Sequence, residues 1–153
     1  MNHIIFDCDG TLIDTASPKY RLFPGIKELL LELSKDNKIY VWTVRGRAST
    51  LRLLQDSGVL GFFESISTVD DAIPKPHIAG LFDLVGVNTK DSICVIGDSS
   101  NDMIGATNFG VLAIGATWSS GVDPEALLKS GAHFIAATPS ECSVIIRSHL
   151  KQH

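Results

Sequence analysis

Several features are scarce in this sequence of 153 residues, and each scarcity excludes a class of protein. The 17 acidic residues only slightly outnumber the 13 basic ones, which gives a formal net charge of −4, and neither sign forms a run. This balance disfavours nucleic-acid binding through bulk electrostatics. No stretch approaches the roughly 18 apolar residues that a membrane span needs. We therefore expect neither a membrane nor a nucleic-acid partner.

Cysteine is also scarce. The chain has three cysteines, Cys8, Cys94 and Cys142, which lie far apart and form no CxxC pair. An odd number at such spacings predicts a reducing compartment, with neither a disulfide framework nor a structural zinc site. The N-terminus lacks the basic and apolar regions of a signal peptide. We therefore expect a cytoplasmic protein.

What remains is an alternation of strand and helix signals. Short apolar or β-branched runs predict strands at His3–Asp7, Ile39–Thr43, Ile66–Val69, Ile93–Ile96, Val111–Ile114 and His133–Ala136. Between them, helical spacing and capping residues predict helices at 24–33, 48–58, 78–85, 101–109, 123–129 and 139–150. Strands that are apolar throughout and alternate with helices are typical of a parallel sheet covered on both faces. We expect a single doubly wound α/β domain over residues 1–153.

Polar residues follow the predicted strands where each strand ends. In sheets of this kind, ligands bind beyond the carboxyl ends of the strands. The polar residues at those ends are Asp7, Asp9, Thr43, Lys75, Asp98 and Asp102. Several carboxylates with one lysine and one hydroxyl suit a hard divalent cation such as Mg²⁺ that holds an anion. A cation would also explain how Asp7 and Asp9 tolerate each other's charge.

These residues carry a resemblance to a known family. "DCDGT" at 7–11 resembles the first motif, DxDx[TV], of the haloacid dehalogenase superfamily of phosphohydrolases. Thr43 is similar to its second motif, Lys75 in "PKP" to the third, and "GDSSND" at 97–102 to the fourth. The tail, with "VLAIGATW" and "PEALLKSGAHFI", resembles the phosphoglycolate phosphatase branch. The resemblance implies a Rossmann-like core.

The resemblance also implies catalytic roles. Asp7 would be the nucleophile that forms an aspartyl-phosphate, and Asp9 would protonate the leaving group and then deprotonate water. The metal, Mg²⁺, would be held by Asp7, the backbone carbonyl of Asp9, and Asp98. Asp102 would orient a metal-bound water or Lys75 from behind, although an acid in the first turn of a helix is favoured for other reasons too.

The phosphate would be bound by a second set of residues. The resemblance assigns this role to Gly10, Thr11, Thr43, Val44 and Lys75. Lys75 would supply positive charge, the Thr43 hydroxyl a hydrogen bond, and Gly10 and Val44 their backbone amides. Such groups stabilise the charge that phosphoryl transfer spreads over the equatorial oxygens.

The stretch "VRGR" at 44–47 departs from the branch, in which Asn commonly follows the threonine. Arg45 and Arg47, together with Arg21, are candidates for the rim of the site, where they would select substrates with a second negative group. The alternative is that they are ordinary surface arginines.

The spacing between the motifs leaves no room for a cap domain. Only 12 residues separate Thr11 from Pro24, and the 31 residues between Thr43 and Lys75 are largely used by one helix and one strand. An open site needs another source of specificity, because lids normally exclude water and contact the substrate. We expect a homo-oligomer to cover it, or a substrate large enough to do so.

The sequence therefore predicts a Mg²⁺-dependent phosphomonoesterase that acts on a small phosphorylated metabolite. Two alternatives stay open. One is a phosphatase of a macromolecule, either a phosphoprotein or a nucleic-acid end. The other is a non-catalytic phosphate-binding module similar to a receiver domain, but in a receiver the lysine comes last, whereas Lys75 precedes Asp98 and Asp102.

Overall fold

A parallel sheet forms the centre of the computed structural model, which describes residues 1–150. The strands in chain order are β1 (Asn2–Phe6), β2 (Ile13–Asp14), β3 (Arg21–Leu22), β4 (Asn37–Trp42), β5 (Phe63–Ser67), β6 (Ile93–Gly97), β7 (Leu112–Ala116) and β8 (Phe134–Ala136). Six of them form one sheet in the order β5-β4-β1-β6-β7-β8 with parallel pairing throughout, and β2 pairs with β3 in a separate antiparallel ribbon.

Six helices connect these strands. They are α1 (Ile26–Leu33), α2 (Arg47–Asp56), α3 (Ala79–Val85), α4 (Ser100–Phe109), α5 (Pro124–Lys129) and α6 (Pro139–His149), and two short 3₁₀ turns lie at Leu60–Phe62 and Lys90–Ser92. Their bounds agree with the predicted ones to within about two residues at most ends, as expected for helix termini. Among the helices of residues 1–150, none is both long and apolar enough to cross a bilayer.

The sheet is covered on both faces, as predicted. Along β1, Ile4 and Phe6 belong to one buried cluster and Ile5 to the other, because successive strand side chains point to opposite faces. The first cluster takes residues from α1, α2 and α6, and the second from α3, α4 and α5. Each helix therefore buries one apolar face against the sheet, and the predicted doubly wound architecture is confirmed.

The strand predicted at Ile66–Val69 lies earlier, as β5. This strand is at the edge of the sheet, and Glu64 and Ser65 within it are exposed. An edge strand that is partly exposed lacks the continuous apolar run by which buried strands are recognised. Val69 instead belongs to a turn, in which the Asp71 N–H donates to the Thr68 carbonyl at 3.0 Å.

The connections leave the carboxyl end of the sheet open. The 12 residues after Thr11 form the short β2–β3 ribbon, and α2 with β5 occupies much of the segment between Thr43 and Lys75. Within residues 1–150, neither connection contains a cap domain. The prediction of one domain extends to residue 153, beyond the described chain, and stays a prediction.

Helix α1 offers a direct test of this packing. Leu30 is fully buried against the sheet, whereas its neighbour Leu31 is 48% exposed. Leu30→Ala should lower the free energy of unfolding by about 2–5 kcal/mol, because it removes buried apolar surface and leaves a cavity. The control Leu31→Ala should change it by less than about 0.5 kcal/mol. Urea unfolding followed by circular dichroism measures both values, and equal losses would contradict this packing.

Candidate active site

The first motif forms a tight turn directly after the central strand. The Asp7 N–H donates to the Ile96 carbonyl at 2.9 Å, so the chain stays beside β6 for one more residue. The Cys8 carbonyl then accepts from the N–H groups of Leu12 (2.9 Å) and Ile13 (3.0 Å). This turn places Asp7 at the carboxyl end of the sheet, where the sequence predicted it.

Lys75 links two acids from different segments. Its Nζ donates to Asp7 Oδ1 at 2.9 Å and to Asp102 Oδ1 at 2.6 Å. Asp102 is fully buried, and its Oδ2 accepts from the backbone N–H (3.1 Å) and the hydroxyl (2.9 Å) of Ser99. Both Asp102 oxygens therefore have donors. This geometry favours an Asp102 that orients Lys75 rather than one that contacts a substrate.

The charge on Lys75 is set by opposing effects. Desolvation by burial works against the charge, but the Asp102 and Asp7 carboxylates outweigh it and raise the pKa of Lys75 above its usual value. The Lys75 ammonium also lies 4.8 Å from the ring centroid of Trp42, within the range of a cation–π contact. Lys75 is therefore a permanent positive charge in the floor of the site.

Asp98 completes a cluster of carboxylates. One carboxylate oxygen from each of Asp7, Asp98 and Asp102 lies within 4.8 Å of the other two. Asp98 Oδ1 accepts from the Thr11 hydroxyl at 3.2 Å. Gly10 packs tightly behind this side chain: a Cβ there would lie 2.1 Å from Asp98 Oδ2, and the φ of Gly10 is 79°. Glycine is therefore required at this position for Asp98 to take its place.

The cluster carries more negative charge than its partners neutralise. Burial raises the pKa of Asp7 well above its usual value, and the charge of Asp102 adds to this effect. Burial likewise raises the pKa of Asp98. Within this cluster Lys75 pairs with Asp7 and Asp102, so two negative charges are uncompensated when all three acids are ionised. Hard oxygen ligands with this charge excess fit a divalent cation such as Mg²⁺.

The second acid of the motif, Asp9, has a partner that the sequence did not indicate. Arg45 Nε donates to Asp9 Oδ1 at 2.9 Å, and Arg45 Nη2 donates to Asp9 Oδ2 at 2.7 Å. Hydrogen bonding to Asp9 raises the pKa of the Arg45 guanidinium, which is always charged in any case. The Asp9 carboxylate is thus turned toward Arg45, and its backbone carbonyl is the atom left for the predicted metal contact.

These residues surround a cavity of about 520 Å³. Its lining consists of Asp7, Asp9, Thr43, Val44, Arg45, Lys75, Asp98, Ser99 and Asn101. Seven of the predicted site residues are therefore brought together, from the ends of β1, β4 and β6 and from the loop before α3. This convergence at one edge of the sheet follows from the parallel topology.

The predicted phosphate-binding residues divide into two groups. Thr43, Val44 and Lys75 line the cavity, and the Thr43 hydroxyl accepts from the Arg45 N–H at 3.1 Å. Gly10 and Thr11 do not line it: the Gly10 N–H donates to the Ile13 carbonyl at 2.9 Å, and Thr11 is fully buried. Gly10 and Thr11 shape the turn and hold Asp98, and a phosphate contact from them stays a prediction.

The three arginines predicted at the rim differ in their position relative to the cavity. Arg45 lines the cavity, whereas Arg47 does not and instead donates through Nε and Nη2 to Asp71 and through Nη2 to the Ile66 carbonyl at 2.7 Å. The hydrogen bonds from Arg47 lower the pKa of Asp71 to about 2. Arg21 is exposed on β3, outside the cavity lining. Arg45 therefore lies at the cavity and Arg47 and Arg21 lie outside its lining, and selection of a substrate by these arginines stays a prediction.

Four residues at the site were not singled out as site residues from the sequence. Ser99 and Asn101 line the cavity, the Tyr20 ring centroid lies 5.5 Å from the Arg45 guanidinium, and Trp118 Nε1 donates to the Thr11 carbonyl at 2.8 Å. Only Ser99 had a recognisable signal, since Ser with an acid three residues later is the pattern of a capping box, and that box is present here. The other contacts depend on tertiary structure.

The role of Gly10 can be separated from backbone strain. Gly10 and Gly58 both have φ near +75 to +80°, but a Cβ at Gly58 meets nothing within 4 Å. Alanine should cost each position about 1–2 kcal/mol of stability. Only Gly10→Ala should also displace Asp98, and we expect its Mg²⁺ affinity, measured by calorimetry, to fall at least ~10-fold. Equal Mg²⁺ affinities in the two folded variants would contradict this role.

Two curated relatives match parts of the chain. It is 35% identical over 103 residues to a phosphoglycolate phosphatase of Agrobacterium fabrum, and this match covers 64% of this chain and 44% of that protein. It is 29% identical over 133 residues to a phosphoglycolate phosphatase of Caulobacter vibrioides, and this match covers 82% of this chain and 56% of that protein. The chain thus spans about half the length of the curated relatives that it matches.

Solved structures support the fold. A hydrolase from Pseudomonas syringae superposes with a TM-score of 0.86 at 19% identity, over 99% of this chain and 100% of that one. A haloacid dehalogenase-like family protein from Streptococcus pneumoniae superposes with a TM-score of 0.83 at 20% identity, over 95% of this chain and 98% of that one. At these identities the likeness establishes the architecture alone.

The family is established from the sequence. The sequence model of the haloacid dehalogenase-like hydrolases matches residues 16–116, which is more than half of the chain. The matched stretch includes Thr43, Lys75, Asp98 and Asp102, and it begins after Asp7 and Asp9. Together with the fold and the converged motifs, this match establishes that the chain belongs to the haloacid dehalogenase-like hydrolase family.

Proposed function

We propose that this chain is a Mg²⁺-dependent phosphomonoesterase that works through an aspartyl-phosphate on Asp7. The observation that carries the proposal is the position of Asp7, at the floor of the cavity between Lys75 and Asp98. The names of the two phosphoglycolate phosphatases that it resembles support the same reaction class.

The two oxygens of Asp7 have different surroundings. Oδ1 accepts from Lys75 Nζ at 2.9 Å and from the Cys8 N–H at 2.8 Å, so it is fixed. We assign the attack on phosphorus to Oδ2. Formation of the Oδ2–P bond breaks the bond from phosphorus to the leaving-group oxygen, and water then attacks the phosphorus to release inorganic phosphate and restore Asp7.

Asp9 is the proton carrier in this proposal. It gives a proton to the leaving-group oxygen in the first step and takes one from the attacking water in the second. Lys75 and the Thr43 hydroxyl face the equatorial phosphoryl oxygens, and the backbone N–H of Val44 adds a further donor. Asp7, Asp98 and the Asp9 carbonyl would hold a divalent cation, which would supply further positive charge beside the phosphoryl group.

The size of the cavity favours a small substrate. About 520 Å³ accommodates a phosphate monoester of a few carbon atoms, and no cap domain within residues 1–150 covers it. We propose a small phosphorylated metabolite as substrate and a second copy of the chain as the cover. The three cysteines are free and buried, which supports a cytoplasmic location.

Asp7→Asn tests the nucleophile. The amide has the same shape as the carboxylate but is a poor nucleophile, so we expect turnover of p-nitrophenyl phosphate to fall about a thousandfold or more while the fold is kept. Asp83→Asn, at an exposed acid of α3, is the matched control and should keep its activity. An Asp7→Asn enzyme that retains more than about a thousandth of the rate would contradict covalent catalysis through Asp7.

Removal of metal tests the cofactor. Exhaustive chelation should abolish phosphate release, and Mg²⁺ added in excess should restore it, because the carboxylate cluster otherwise repels the phosphate. The assay is release of inorganic phosphate before and after dialysis against a chelator. Full activity in the chelated protein would rule out the assigned metal.

A further inference from the structure

The contacts of Asp9 conflict with its proposed role. To exchange a proton with the leaving-group oxygen, Asp9 needs one carboxylate oxygen within hydrogen-bond reach of that atom. In the structure both of its oxygens accept from Arg45, at 2.9 Å and 2.7 Å. A bidentate pair of this kind fixes the orientation of both partners. Both Asp9 oxygens are therefore engaged, and release by Arg45 would leave them free for the reaction.

Arg45 is anchored on its other side as well. Its Nη1 donates to the Ser49 hydroxyl at 2.7 Å, and its guanidinium lies 5.5 Å from the centroid of the Tyr20 ring. The Arg45 side chain is only 20% exposed, and it forms part of the cavity wall. The guanidinium can therefore meet a group on a bound substrate without leaving its site.

Among the described residues that line the cavity, only Lys75 and Arg45 are cations. Lys75 is committed to two buried carboxylates, so releasing it would leave charges unpaired in the interior. Arg45 has one carboxylate partner, Asp9, whose side chain is 40% exposed. Of these two cations, Arg45 is therefore the one that can pair with a second anion on a substrate.

We propose that Arg45 selects substrates with a second anionic group, and that this group displaces Asp9 from Arg45 and so frees Asp9 for the reaction. The proposal rests on the phosphomonoesterase function above. The exchange costs Arg45 little, because one carboxylate replaces another on the same planar guanidinium and Arg45 keeps a bidentate partner throughout. Water can solvate the released Asp9, because its side chain is 40% exposed. A phosphate ester without a second anion leaves Asp9 paired.

Two phosphate esters of nearly the same size, one with a second anionic group and one without, test the proposal. Phosphoglycolate carries a carboxylate where ethyl phosphate carries a methyl group. The wild-type protein should prefer phosphoglycolate in kcat/KM. In Arg45→Ala, kcat/KM for phosphoglycolate should fall at least ~10-fold, because the anion has lost its partner. For ethyl phosphate, kcat should stay level or rise, because Asp9 is no longer held. Arg52→Ala, at an exposed position of α2, should leave both substrates unchanged.

If kcat/KM of Arg45→Ala fell equally for both esters, Arg45 would merely support the structure. If Arg45→Ala kept the wild-type preference for phosphoglycolate, Arg45 would not select the substrate. Either result would overturn the proposal.

A binding experiment keeps the proposal separate from the proposed function. In Asp7→Asn, with Mg²⁺ present, the Arg45 Nε–H resonance should shift when phosphoglycolate is added and stay in place with ethyl phosphate. If the wild-type protein hydrolyses neither ester, the proposed function fails, and this resonance still decides whether Arg45 exchanges partners. A resonance that does not move at saturating phosphoglycolate would overturn the proposal.

Discussion

The buried ion pairs of Lys75 are the interaction on which the site depends. The Lys75 side chain is 4% exposed and that of Asp102 is fully buried, so neither charge is compensated by water. Such pairs often give little net stability, but the loss of one partner costs about 3–5 kcal/mol because a buried charge is left alone. Lys75, Asp7 and Asp102 come from three separate segments, and the need to pair these charges fixes the segments relative to one another.

The hydrogen-bond donors and packing around each acid explain why Asp102, Asp7 and Asp98 differ in their contacts. Asp102 is held by Ser99 and Lys75 through both of its oxygens, which favours a role in positioning Lys75. Asp7 has one oxygen, Oδ1, held by Lys75 and the Cys8 N–H, and we propose its other oxygen as the nucleophile. Asp98 is placed by the absence of a side chain at Gly10. The same residue type therefore serves different purposes, and the surrounding donors decide which.

Topology made much of the site predictable. Asp7, Thr43, Lys75 and Asp98 follow parallel strands or the loops beyond them, and a parallel sheet brings such ends together whatever the details of packing. The carboxylate partners of the two arginines could not be predicted in this way. Arg45 lies in the loop before α2 and Arg47 at the first residue of α2, yet Arg45 pairs with Asp9 and Arg47 with Asp71. Nothing local distinguishes them, because each partner comes from a distant part of the chain. The edge strand β5 was misplaced for a related reason, since its exposed residues weaken the apolar pattern.

The proposed function depends on a covalent bond between Asp7 and phosphorus. The most direct measurement is acid quenching during turnover of a saturating phosphate ester, followed by mass spectrometry of the peptide that contains Asp7. With p-nitrophenyl phosphate, whose leaving group needs no proton, we expect Asp9→Asn to slow hydrolysis of the intermediate more than its formation, and so to increase the yield. The account predicts one phosphoryl group on Asp7 in the wild-type protein and a larger fraction in Asp9→Asn. Rapid turnover with no phosphoryl group on that peptide in either protein would contradict it.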